Sequence, residues 1–371
     1  MHRKLRVCIL QTNLPSAKFK SGGEERFTVE LAENLSRRHE VVVISKGERP
    51  GVTRTGNLTV RRIRCTSIKY FRFLVYVMLL IREILRQRRL DIIEAHISDG
   101  SNGIAGVIAS KILRKPCVTR VSRIGPLDSL GPVRKLLLML IFRGSSHVIS
   151  INSNTMVERI RALSRKSRVS VLPHGIYESD ILKPKTLRKS GERRLLFVGR
   201  FVWFKNVGML VQVMGLLSKR LKGVRLVLIG TGPEEVRIRG MVDGLGLADA
   251  VEFRGELPNE EVLRQMERSD VFVFPSIDEP RGRVLIEAMS KGLPIVAVNR
   301  GGPRDIVLDG RNGFLVEPGE TEKMAGKISL LLGDGGLYAR MSRNNVLDVR
   351  KYLWKNVIRR FESLYLGLLE G

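Results

Sequence analysis

Two carboxylates eight residues apart, Glu279 and Glu287, flank the stretch of this 371-residue chain whose residue types most clearly suggest chemistry. Between them lies Pro280-Arg281-Gly282-Arg283-Val284, and ahead of them the short apolar run Val271-Phe272-Val273-Phe274-Pro275. That run is β-branched and aromatic and closes on proline, which predicts a buried parallel strand. Val284, Leu285, Ala288 and Met289 recur at helical spacing, predicting a helix from Arg283 to Lys291 that stops at Gly292. Glu279 then sits at the carboxyl end of a strand, on the side where open α/β sheets bind ligands. Glu287 falls about one and a half turns into the helix, roughly 8 Å from its start. The backbone N–H groups at that start suit an anionic phosphate. These parts together match a sugar nucleotide gripped at both ends.

The elements that must position these groups fall into two βα-rich halves. The first opens with a strand at Leu5–Gln11, a glycine loop at Ser21-Gly22-Gly23 and a helix from about Glu24 to Arg38. Further strands are predicted at Glu40–Ser45, Ile92–Ala95, Val118–Val121 and His147–Ile151, with helical stretches between them. The second half starts again near Arg193, with strands at Arg194–Gly199, Leu226–Ile229, Val251–Arg254, Val271–Phe274 and Pro294–Val298. Alternation of this kind predicts two doubly wound parallel sheets. The polar segment from Lys183 to Gly191, with Pro184, reads as an exposed linker. The expected domains are therefore 1–184 and 192–350, followed by a helix over 351–371 that packs on either half. No internal repeat or low-complexity segment interrupts them.

Composition sets the bounds. The length suits two domains rather than one core, and 43% hydrophobic residues with 36 glycines fit a globular α/β chain. Cys8, Cys65 and Cys117 are scattered, so neither a disulfide framework nor a metal-ligand spacing is expected, and a reducing interior is the default. Met1 to Arg6 runs straight into the first strand, with no cleavable apolar segment. The charge is the oddity: 65 Lys and Arg against 37 Asp and Glu give +28. Residues 1–184 hold 34 of the basic and 14 of the acidic residues. Such a surface attracts polyanions, either nucleic acid or lipid headgroups, or serves solubility. Two apolar stretches in this half, Tyr70–Ile81 and Leu136–Phe142, are flanked by arginine and lysine. Both are too short for the roughly 20 apolar residues of a membrane span. They are either buried helices or interfacial ones.

Six short patterns occur in order: Gly22-Gly23-x-Glu25; Pro173-His174-Gly175-Ile176; Gly199-Arg200 with Lys205-Asn206; Gly230-Thr231-Gly232-Pro233; Glu279…Glu287-Ala288-Met289 with Gly292 and Pro294; and Gly301-Gly302. Together, over nearly the whole chain, they resemble the retaining, nucleotide-sugar-dependent glycosyltransferases of the GT-B fold, family 4. The resemblance implies two Rossmann-like domains facing across a cleft. It also implies roles. Glu287 accepts hydrogen bonds from the ribose hydroxyls, each worth roughly 1.5–3 kcal/mol to a charged acceptor. Arg200 and Lys205 straddle the diphosphate and neutralise the leaving group. Gly22 and Gly23 let backbone approach the phosphates, Glu279 holds sugar hydroxyls, and the N–H groups of Gly282, Arg283 and Val284 cap phosphate and sugar. Asn206 belongs to the same signature.

The sequence departs from the family pattern twice. Ser122-Arg123 stands where a histidine is common, near the sugar's C6 group, which leaves His96 as the strand-end candidate. His96 is either a catalytic group facing the cleft or a structural histidine with satisfied hydrogen bonds. Pro280-Arg281-Gly282 replaces a usual Gly-Phe-Gly and removes one backbone donor.

The resemblance implies transfer of a hexose from a UDP- or GDP-linked sugar, with retention, and with no required metal or cofactor. The basic first half adds the expectation of a lipid-linked or anionic-glycan acceptor and of peripheral attachment to the inner, cytoplasmic membrane face. Nucleic-acid binding is the rival use of the charge, but only 6% of residues are aromatic and no binding motif is interleaved with the basic ones. A non-catalytic scaffold subunit of the same fold is a second rival, and a sugar-nucleotide epimerase a third.

Overall fold

The computed structural model describes residues 3–14, 23–47, 49–64, 72–87, 89–97, 100–125, 127–151, 153–187, 191–279 and 282–370. The chain divides into two compact units: Met1–Gly175 with Trp354–Gly371, and Ile176–Leu353. In the first, one sheet contains β1 (Arg6–Gln11), β2 (Glu40–Gly47), β3 (Gly51–Thr55), β4 (Leu58–Arg64), β5 (Ile92–Ile97), β6 (Cys117–Val121), β7 (His147–Ile151) and β8 (Val169–Leu172). Their order is β3-β4-β2-β1-β5-β6-β7-β8, parallel except where β3 and β4 form an antiparallel edge hairpin. The helices are α1 (Gly23–Ser36), α2 (Arg72–Leu85), α3 (Ser101–Leu113), α4 (Pro132–Gly144) and α5 (Asn154–Leu163).

The period-2 alternation of β5 shows how the two faces are used. Ile93 and Ala95 join a core with Leu80 of α2 and Ala105 of α3. Glu94 and His96 point to the opposite face, which α1 and the C-terminal helix Trp354–Glu370 cover. Right-handed crossovers require this division of helices. The C-terminal helix is held to α1 and the turn after it by Arg38 Nη1 and His39 Nε2 on Glu362, at 2.9 and 3.0 Å. Its Trp354 stacks on Phe27 at 5.7 Å between ring centres. Among the described residues no helix is long and apolar enough to cross a membrane.

The second unit carries a wholly parallel sheet of β9 (Arg193–Val198), β10 (Val224–Ile229), β11 (Val251–Phe253), β12 (Val271–Phe274), β13 (Ile295–Val298) and β14 (Gly313–Val316). The order β11-β10-β9-β12-β13-β14 reverses direction between β9 and β12, a topological switch point that opens a crevice at the strands' carboxyl ends. The helices that follow these strands are α6 (Val207–Arg220), α7 (Glu235–Gly244), α8 (Asn259–Arg268), α9 (Arg283–Ser290) and α10 (Gly302–Ile306). Every residue of β12 is buried, with Phe274 packed on Phe197 of β9 at 6.2 Å and on Phe272 at 6.1 Å.

Three expectations need correction. The hairpin β3–β4 and the short strands β8 and β14 were not predicted. The hairpin is exposed or half-buried and rich in arginine, so it has no buried apolar face to give a signal. The boundary between units falls at 175/176, not near 184. Segment 183–187 is no free linker: Lys185 Nζ donates to the carbonyls of Met266, Glu267 and Ser269, and its backbone N–H to Ser342 Oγ at 2.7 Å. Residues 188–190 of the expected linker lie outside the described residues. The last helix begins at Trp354 rather than 351, because Val349–Tyr352 is a short 3-10 turn of the second unit.

Candidate active site

In the second unit the loops leaving β9 and β12 meet at the switch point. The carbonyl of Phe204, in the turn Trp203–Lys205, accepts from Ser276 Oγ at 3.1 Å and from the Ile277 N–H at 2.9 Å. This clamp sets Lys205 beside Glu279. Their side chains are 14% and 12% exposed and form an ion pair, with the ammonium 4.7 Å from the centre of the Phe274 ring. The other carboxylate oxygen of Glu279 accepts from the Gly282 N–H at 3.3 Å. Its backbone carbonyl accepts from the Gly302 N–H at 2.5 Å.

Two glycines make this loop possible. Gly282 has φ +61° at the start of α9, and a Cβ there meets Ile306 Cδ1 at 2.8 Å. Gly301 has φ +59°, and a Cβ there strikes the carbonyl of Glu279. Both conformations suit glycine and strain other residues.

Within α9, Arg283 Nε donates to Glu287 Oε1 at 3.0 Å across one helical turn, with both side chains largely enclosed. Glu287 thus shares one carboxylate oxygen with Arg283. Arg283, expected to act through its backbone, also supplies a guanidinium. Val284 is half-buried and packs on the core. Asn206 adopts φ +50° and its amide contacts Met209 Sδ at 3.6 Å, so it shapes the entry to α6. Arg200 lies on the same strand-end loop with its side chain exposed, and it forms no ion pair among the described residues. Lys205, Glu279 and the Gly282 N–H thus form one connected group, and the Arg283–Glu287 pair follows it along α9. Pro280 and Arg281 lie outside the described residues.

The first unit brings together a second set at the ends of β1, β5 and β6. His96 Nε2 lies 2.9 Å from Ser122 Oγ and 3.6 Å from Glu24 Oε2. Asn102 Nδ2 donates to the His96 carbonyl at 3.1 Å and to Thr12 Oγ1 at 3.0 Å. His96 is fully buried and Ser122 nearly so. Gly23 opens α1 with free space around it. Gly22 lies outside the described residues.

One rung deeper on the same sheet face is a network that the sequence did not announce. Arg120 and Glu94, both fully buried, pair at 2.7 Å, and the Tyr365 hydroxyl donates to the second oxygen of Glu94. Arg120 Nη2 donates to Thr28 Oγ1 at 2.8 Å, and its guanidinium lies 5.0 Å from the centre of the Phe27 ring. Burial and the neighbouring Glu94 hold the Tyr365 hydroxyl well above its ordinary pKa. A signal was nevertheless present: Glu94 and Arg120 are lone charges in strands buried on both faces, and such charges require a partner.

Two doubly wound α/β units, the second with Lys205 and Glu279 at its β9–β12 switch point, are the architecture of a GT-B protein. Comparison supplies the family. Residues 178–347 match the model for glycosyl transferases group 1, and residues 21–179 the model for glycosyltransferase family 4. The chain belongs to the GT-B glycosyltransferases of the family 4 type. An uncharacterised glycosyltransferase of Methanocaldococcus jannaschii is 29% identical over 92% of this chain and 93% of that one. The gpi3 subunit of a phosphatidylinositol N-acetylglucosaminyltransferase of Schizosaccharomyces pombe is 25% identical, over 93% of this chain and 77% of its own. Among solved structures, Anabaena HepE in complex with UDP superposes with a TM-score of 0.79 at 20% identity, over 98% of this chain and 100% of that one.

Proposed function

We propose that this glycosyltransferase moves a hexose from a UDP- or GDP-linked donor to a hydroxyl of a lipid-linked or anionic-glycan acceptor, with anomeric configuration retained. The single observation that carries the reading is the Lys205–Glu279 pair, held at the switch point beside the start of α9. In the reaction the bond from the sugar's C1 to the β-phosphate oxygen breaks. The acceptor oxygen bonds to C1 on the same face, and its proton passes to a departing phosphate oxygen. Lys205, with the exposed Arg200, supplies positive charge where the leaving diphosphate gains negative charge. Glu279 holds the ammonium in place and turns its remaining hydrogen-bonding capacity to sugar hydroxyls. Glu287, steadied by Arg283, accepts from the ribose hydroxyls. His96 and Ser122 set the shape of the first unit's contribution.

These cations make a metal unnecessary in this reading, so turnover survives chelation by EDTA. The acceptor class is supported by the basic first unit and by the phosphatidylinositol named for the Schizosaccharomyces pombe relative. A panel of nucleotide sugars in a thermal-shift assay, followed by transfer to lipid-linked and soluble glycan acceptors, tests the proposal. Failure of every donor to raise the unfolding midpoint rejects it.

A further inference from the structure

The face of the first unit built by α2, α3 and α4 is unlike the rest of the molecule. Each helix keeps one apolar side in the core: Leu80 and Ile84 of α2, Ala105 and Ala109 of α3, Leu138 and Ile141 of α4. Each also shows a second apolar stripe to solvent. Leu74 and Met78, Ile108 and Ile112, and Leu136 and Leu140 recur at helical spacing on neighbouring helices, with Met78 60% and Ile112 58% exposed. Single exposed apolar residues are ordinary, but three adjacent stripes are not. Each of the two apolar stretches is thus buried on one side and exposed on the other; Tyr70 and Phe71 lie outside the described residues.

The charge around these stripes has one sign. Helices α3 and α4 contain no Asp or Glu, and the sole carboxylate of α2, Glu83, is tied to Arg61 and Arg86. At the carboxyl ends of α3 and α4 two depressions adjoin at Ser146, of about 550 and 480 Å³. Lys111, Arg114 and Lys115 line the first, and Arg143, Lys166 and Arg168 the second. None of these six forms an ion pair among the described residues, and no carboxylate lines either depression. Cations at a helix's carboxyl end meet its dipole, which accounts for Lys111 and Arg143. It does not account for Lys115, Lys166 and Arg168, which lie outside the helices. Six like charges left unneutralised repel one another and so select an anionic partner.

We propose that this face docks on the headgroup layer of an anionic lipid bilayer, with the stripes of α2, α3 and α4 in the acyl boundary and the two depressions on headgroup phosphates. It rests on the proposed function only in that a lipid-borne acceptor must be met at such a surface. The pairing of apolar stripe and basic rim is what an interfacial helix needs.

The experiment is flotation of the full chain with vesicles of phosphatidylcholine alone and of phosphatidylcholine with phosphatidylglycerol. The comparison includes Ile108→Asp/Ile112→Asp and, separately, Lys111→Glu/Lys115→Glu. Ile108, Lys111 and Ile112 are exposed and Lys115 is half-buried, and circular dichroism confirms that the variants fold. The wild type should float with the anionic vesicles and not with the neutral ones, and each variant should lose roughly tenfold or more in partition. No flotation of the wild type at low salt, or equal flotation of the wild type and both variants, overturns the proposal. So does an oligonucleotide that binds more tightly than the vesicles and is released by the same charge reversal, since the surface then belongs to nucleic acid. Donor binding in solution is measured on the same samples. A protein that floats but binds no nucleotide sugar keeps the docking surface and loses the proposed function, and the converse result separates the two in the other direction.

Discussion

Replacing Lys205 by alanine removes the ammonium that pairs with Glu279 in a largely enclosed site. Two effects then act in the same direction. A cation about 4 Å from a phosphate contributes about 4 kcal/mol at an effective dielectric constant of about 20. That corresponds to about 10³-fold in kcat/KM for the donor. The Glu279 carboxylate, without that ammonium beside it, also repels the incoming diphosphate. The pair is therefore coupled, and the double variant Lys205→Ala/Glu279→Gln should be the better enzyme of the two, recovering about tenfold over Lys205→Ala by removing that repulsion. Initial rates of donor turnover across a range of nucleotide-sugar concentrations, for wild type, both single variants and the double, give the full cycle. The reasoning is refuted by a Lys205→Ala enzyme within about tenfold of wild type, or by a double variant whose loss equals the sum of the single losses.

Glu94→Ala leaves the Arg120 guanidinium buried without its carboxylate and should cost about 3–5 kcal/mol, a fall of roughly 6–20 °C in Tm for a unit of this size; a loss below about 1 kcal/mol by denaturant unfolding contradicts the network's role. Gly301→Ala places a methyl group against the Glu279 carbonyl at φ +59°, so it should strain the loop by about 1–3 kcal/mol and reduce turnover far more than it reduces Tm. Burial pushes the Cys8 and Cys117 thiols up from 9.0 to about 12. Folded pKa values above the ordinary one mean that their contribution to stability is complete below pH 9 and fades as pH climbs towards 12. Neither thiol should be alkylated at neutral pH before unfolding, as peptide mass mapping can establish, and urea midpoints should fall across that alkaline window.

How much of this was legible depended on whether neighbours along the chain were also neighbours in space. Val-Phe-Val-Phe at β12 and the helical spacing from Arg283 are local patterns, so strand, turn and helix were read within a residue or two. The family motifs placed Lys205 and Glu279 in the same site, but not against each other; that contact needs the Phe204 carbonyl to hold the loop after β12. The Arg283–Glu287 pair was within reach, since four residues on a helix is contact distance. Glu94, Arg120 and Tyr365 were not, because two strands and a helix more than two hundred residues later must assemble before the charges meet. The exposed stripes of α2 and α4 were visible as apolar runs, whereas that of α3 was hidden among its small residues. Only the packing of α3 between the other two shows which isoleucines remain outside.

The most direct measurement is binding of UDP, GDP and their hexose conjugates to the wild type and to Lys205→Ala, followed by the unfolding midpoint. At a free ligand concentration of about 100 Kd, one nucleotide sugar should stabilise the wild type by about 2.7 kcal/mol and leave the variant nearly unchanged. If no nucleotide sugar stabilises the wild type, or if one stabilises both proteins equally, Lys205 and Glu279 do not hold an activated sugar.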